Sequence, residues 1–175
     1  MPKPIQLDKY ARDERAWRTF ADFNYAASAM LFTSNNMAVV FSAATLGQHA
    51  LEMYLKAALI CEGMTVFDPQ KVKHLVPSSG VKRLDCVWGH DLVQLARKLS
   101  TKRNEFDLAE KLDVTGYFPH KQPMSIEAGF ALFDPFFAEM RYPQELKNVE
   151  GIGEHEKIVL DALVAVLQPF LASVK

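Results

Sequence analysis

Cysteine is nearly missing from this sequence: Cys61 and Cys86 are the only two in 175 residues. Two are too few for a disulfide framework, and both are expected as reduced thiols in a cytoplasmic protein. An excess of either charge is missing as well, since the formal net charge is -1. No global basic field therefore recruits nucleic acid or an anionic membrane, and any such binding must use a local patch. No uninterrupted apolar run reaches the roughly 18 residues that suggest a membrane span. The first residues, "MPKPIQLDKYARDER", lack the basic-then-apolar order of a secretory signal. Also absent are a phosphate-cradling Gly-rich loop with a Lys, a Gly-x-Ser-x-Gly elbow and a dinucleotide fingerprint. Recognisable NTPase, hydrolase and dehydrogenase classes drop out with them. The expectation is one soluble domain over residues 1–175, with no membrane partner.

What is present is helical spacing. Apolar residues at Ala16, Phe20, Phe23, Ala27 and Met30 mark one face of a helix over 15–32, with Trp17 and Leu31 alongside. "SNN" at Ser34 to Asn36 interrupts it with side chains that favour turns and helix starts. A second helix is expected from about Met37 to Cys61, ending at Gly63. The short link makes the pair an antiparallel hairpin. A long connection over 64–89 follows, in which Asp68 and Pro69 can start one or two helical turns. Leu92, Leu95, Ala96 and Leu99 mark a third helix, and a second break lies at 112–124. Helix resumes near Ser125, where Pro135 must either kink it or start a new one after Asp134. The last helix is expected over 154–174, with Pro169 interrupting its final turn. No alternating strand pattern of useful length, internal repeat or low-complexity tail is present. The fold class is all-α, an antiparallel bundle of four to five helices.

Ionisable residues then stand out in the second helix. Ser42, Thr45, His49, Glu52 and Lys56 are three, four, three and four residues apart, one narrow line on a helix whose other faces are apolar. Two readings are open. The line is either the solvent edge of a central helix, or it faces a groove where the Glu52 carboxylate meets an Arg from another helix. Buried, that carboxylate needs such a partner.

"HALEMYLKAALICEG", then "GHDLVQLARKL", then "FFAEMRYP" and a last apolar helix together resemble the HEPN (higher eukaryotes and prokaryotes nucleotide-binding) family over about residues 17–171. The resemblance implies a helical bundle that typically forms a homodimer with a polar groove at its interface. It implies either a metal-independent ribonuclease or an inactive module that binds RNA, a nucleotide or a protein. A nucleotidyltransferase-type partner, in a toxin–antitoxin or defence setting, is often nearby. Carried over residue by residue, Glu52 matches the acidic position of the second helix and Arg141 the Arg of the late helix. The ligand groove would then hold Glu52, Arg141, His49, Lys56 and Thr45. Active members have a His after that Arg with four to six residues between the two; here the window holds Leu146, Lys147 and Asn148. Asn148 can hydrogen-bond but cannot exchange a proton at neutral pH, and Pro143 breaks the helix that would carry the motif. The expectation is therefore a non-catalytic binding module. The alternative is a divergent endoribonuclease using Arg141 with His49 or Asn148 at a dimer groove, and a third reading makes the polar line a dimer-specifying feature with no ligand.

Other chemistry is weaker. His49 lies one turn from Glu52 and is the best-placed general base. His90, at a helix start, is expected to pack or to satisfy backbone at the turn. Cys86 and His90 are four apart, but two ligands do not make a metal site, and neither metal nor cofactor is expected. Lys71, Lys73, Lys82 and Arg83 form a candidate phosphate patch in the long connection. Arg97, Lys98, Lys102 and Arg103 continue the positive charge. The loop residues Tyr117 and Phe118 are candidates for covering a groove, joining a dimer contact or anchoring the core.

Overall fold

The computed structural model describes residues 10–34, 36–67, 86–114, 123–136 and 153–171. Among them are five α-helices: α1 Glu14–Phe32, α2 Met37–Cys61, α3 Leu92–Ser100, α4 Ile126–Phe133 and α5 Glu154–Leu167. A 3₁₀ turn, Gln168–Leu171, continues α5. Two strands of two residues each, β1 Thr65–Val66 and β2 Cys86–Val87, pair in parallel. This small sheet is an addition to the expected helical bundle, and the described residues are otherwise mostly helical. Two residues are too short to show a period, so no sequence pattern could have marked them.

Local chemistry sets the helix ends. The Asp13 carboxylate accepts from the Ala16 N–H at 3.0 Å and caps α1. Asp91 caps α3 through the Gln94 N–H at 2.8 Å, and Ser125 caps α4 through the Ala128 N–H at 3.1 Å. Helix α2 closes where the N–H groups of Gly63 and Met64 return to the Ile60 and Leu59 carbonyls. Helix α4 ends at Phe133, and Pro135 and Phe136 are again helical, so the proline starts a new turn rather than kinking the old one. At Gln168 the α geometry tightens to 3₁₀ around Pro169.

Helices α1 and α2 form the expected antiparallel hairpin. Ser28 donates to the Ala43 carbonyl at 2.7 Å and Tyr54 to the Asp22 carboxylate at 2.5 Å, so contacts move down one helix as they move up the other. The face of α1 that meets α2 is not the regular apolar one. Ala21 and Ser28 are buried there, with Trp17, Tyr25 and Phe32 packed on the core, while Phe20, Phe23 and Met30 are exposed.

Helix α2 is the central element and packs against α1, α3, α4 and α5. Gly47 shows how close those neighbours come. A Cβ there would lie 3.0 Å from Leu160 of α5, 3.3 Å from Phe133 of α4 and 3.3 Å from Ser28 of α1. The core around it holds Leu51, Leu55, Leu59, Leu92, Leu99, Phe130, Leu160 and Leu163, all fully buried.

Candidate functional site

A helix buried on nearly every side leaves its polar residues few solutions. Glu52 and Lys56 are 5% and 3% exposed, which overturns their reading as a solvent edge. The lysine Nζ donates to Glu52 Oε1 at 2.5 Å, the favourable Glu-to-Lys order one turn apart. The second oxygen, Oε2, meets His90 Nδ1 at 3.0 Å. Beside the Lys56 ammonium the carboxylate is the acceptor, which assigns the Nδ1–H of His90 as the donor. Each oxygen of the buried carboxylate thus has a basic partner, which such a charge requires.

The imidazole reaches Glu52 because of the turn between β2 and α3. Gly89 adopts φ of 107° there, a left-handed-side conformation that side-chain-bearing residues rarely take. Gln48, one turn before Glu52 on α2, holds the same turn by donating from Nε2 to the His90 carbonyl at 3.3 Å. That donor role turns the amide oxygen the other way, and Gln48 Oε1 is buried with no hydrogen-bond partner among the described residues. Above the carboxylate, the His90 side chain is 46% exposed and Trp88 50% exposed, with ring centroids 6.5 Å apart. The Lys56 ammonium lies 5.4 Å from the Trp17 ring and 5.9 Å from the Trp88 ring, both within cation–π range. A buried Lys–Glu pair therefore sits beneath two rings, one of which it holds by a hydrogen bond.

The other expected site residues separate. Thr45 is half-buried and donates its hydroxyl to the Phe41 carbonyl of its own helix at 3.0 Å. Ser42 is exposed and His49 half-buried on the same helix. Arg141, Asn148, Lys71, Lys73, Lys82 and Arg83 lie outside the described residues, as do Tyr117 and Phe118. Glu52 is satisfied without Arg141. Among the later cations, Arg97 is paired with Glu127 at 2.7 Å and Arg103 with Glu62 at 2.5 Å. Lys98 donates to the Cys86 carbonyl at 2.5 Å.

Sequence reasoning missed His90 as the partner of Glu52 and assigned it to packing or to satisfying backbone at the turn. Its carbonyl does serve the turn, through Gln48, but its ring serves the carboxylate. It also passed over Gln48. Gln48, Glu52 and Lys56 are spaced by four, so a common face was legible in α2. No such spacing links it to His90, which comes from a remote turn. Among the described residues no group of three His, Cys, Asp or Glu side chains is arranged to hold a metal ion. None of the described helices is long and apolar enough to cross a membrane. Comparison with protein-family models, curated proteins and solved structures finds no match for this chain.

Proposed function

We propose that this chain is a HEPN-like helical module that binds RNA or a nucleotide at the Trp88–His90 surface and does not cleave it. The observation that carries the reading is the exposed Trp88 ring beside an imidazole that a buried Glu52 holds in place. A half-exposed indole suits stacking with any nucleobase, and base–aromatic stacking contributes about 1–3 kcal/mol per base. The imidazole supplies a polar edge for a base or phosphate, and its tether to Glu52 lowers the ordering cost of binding. By the same resemblance, a homodimer and a nucleotidyltransferase-type partner in a toxin–antitoxin or defence setting belong to this proposal.

One observation favours the alternative, a divergent metal-independent endoribonuclease. A carboxylate that orients a histidine through Nδ1 is also the arrangement of a general acid–base pair. In that reading His90, rather than His49 or Asn148, moves the proton.

Both readings meet in one experiment: an end-labelled RNA panel and free nucleotides in EDTA, followed on native and denaturing gels and by tryptophan fluorescence. Binding without cleavage, weakened about ten- to a hundredfold in Trp88→Ala, is the expected result. Cleavage abolished in His90→Gln would replace the binding module with the ribonuclease. Absence of any binding by either class of probe would remove both.

A further inference from the structure

Helix α1 has two apolar faces, and the chain's own core uses one of them. Trp17, Ala21, Tyr25 and Phe32 pack inward. On the other face Ala16, Phe20, Phe23, Ala27 and Met30 advance by four, three, four and three residues. That is a strict seven-residue repeat, the spacing of a seam between two helices, rather than the wider stripe that covers a globular core. The seam is open: Phe20 is 50%, Phe23 68% and Met30 73% exposed. No charged residue occurs from Phe23 to Thr33, so half of the helix has nothing on this side that prefers water. Contiguous apolar surface of this kind marks an interaction site.

We infer that the seam is covered by α1 of a second copy of this chain, running antiparallel, with Phe23 on the two-fold axis. Size complementarity selects this occupant and this direction. Centred on Phe23, an antiparallel pairing sets Phe20 opposite the Ala26–Ala27 step of the partner subunit and Met30 opposite Ala16 of the partner subunit. Every large side chain then meets a small one, and the two Phe23 rings meet each other. A parallel pairing would set Phe20 on Phe20 and Ala27 on Ala27, alternately crowding and hollowing the seam. In area, the open parts of Phe20, Phe23 and Met30 amount to roughly 350–400 Å² per copy, taking about 200 Å² for each full side chain. Twice that is about 700–800 Å², the apolar centre of an interface that needs about 1,200 Å² or more in total. Flanking Arg15, Thr19 and Ala26, all exposed, extend it. A two-fold contact of this sort is self-complementary and closes at the dimer.

The inference stands on the surface of α1 and does not depend on nucleic-acid binding. None of its seam residues belongs to the Trp88–His90 surface, so dimer loss and binding loss are separable. The test is sedimentation velocity of the full chain across a concentration series, for wild type, Phe23→Glu and Phe23→Cys. Wild type is expected near twice the 19.7 kDa chain mass. Phe23→Glu, which would face two carboxylates across the axis, is expected to weaken association roughly a hundredfold with unchanged far-UV circular dichroism. Phe23→Cys is expected to cross-link to its own copy under mild oxidation where wild type, with its two native cysteines, does not. A wild-type monomer at every concentration overturns the inference. So does a Phe23→Glu dimer as tight as wild type, which would place the contact elsewhere. Should the glutamate variant lose its fold, the cysteine variant decides, and failure to cross-link rejects the two-fold at Phe23.

Discussion

Glu52 is the residue on which the polar interior of α2 depends. It compensates Lys56, which is 3% exposed, and holds the His90 ring 3.0 Å from its second oxygen. Removing one member of a buried pair leaves an uncompensated charge, which costs about 3–5 kcal/mol. Glu52→Gln is therefore expected to lower unfolding free energy by that amount, read from urea titration. Replacing both Glu52 and Lys56 with Met should recover most of the loss, because two buried charges are then exchanged for apolar atoms of similar length. If the double variant were as unstable as the single one, shape rather than charge would explain the site. Only part of this residue's role was legible in sequence. A Glu four residues before a Lys on an apolar helix announces the pair. Nothing along the chain announces His90, because the turn that brings it over Glu52 comes from a remote loop.

Helices, in contrast, are well marked in this sequence. The expected ranges of α1, α2, α3 and the start of α4 agree with the observed ones within a residue or two, because caps and apolar spacing are local properties. Which face of a helix points inward is not local. In α1 the most regular apolar face is exposed, and the less regular one carrying Trp17, Ala21, Tyr25, Ser28 and Phe32 packs on α2. The deciding factor lies on α2, where Gly47 leaves room for Ser28 of α1 as well as Phe133 of α4 and Leu160 of α5. Gly47→Ala would gain about 1 kcal/mol of helix propensity. Against that, its methyl would stand 3.0 Å from a fully buried Leu160 and 3.3 Å from Phe133. Overpacking of this kind costs about 1–3 kcal/mol. The net expectation is a lower Tm by thermal denaturation; an increase would show that α5 yields easily.

At the scale of the molecule, two tyrosine hydroxyls tie the hairpin together and to the last helix. Tyr25 of α1 donates to Asp161 of α5 at 2.8 Å, and Tyr54 of α2 donates to Asp22 of α1 at 2.5 Å. Burial, reinforced by each carboxylate, pushes Tyr25 up from 10.0 to about 12 and Tyr54 further in the same direction. A raised pKa in the folded state means that the unfolded chain releases its proton first. The stabilisation is complete below about pH 10 and is lost as pH rises through 12 and above. Phenolate absorbance and far-UV circular dichroism, followed together, should show these two tyrosines ionising only as the helices unfold. Ionisation well before loss of helix would mean that the two ties are not closed in solution.

The pairing of Thr65 with Cys86 and of Val66 with Val87 joins the two ends of a long excursion to one small sheet. Residues 68–85 therefore leave from and return to fixed points. For a stretch so anchored, closure entropy changes slowly with length, by about 0.6 kcal/mol for each doubling. Lys71, Lys73, Lys82 and Arg83 all fall within it. The four charges are thus tied at both ends of their segment to one small sheet, and β2 leads directly into the turn that carries Trp88 and His90.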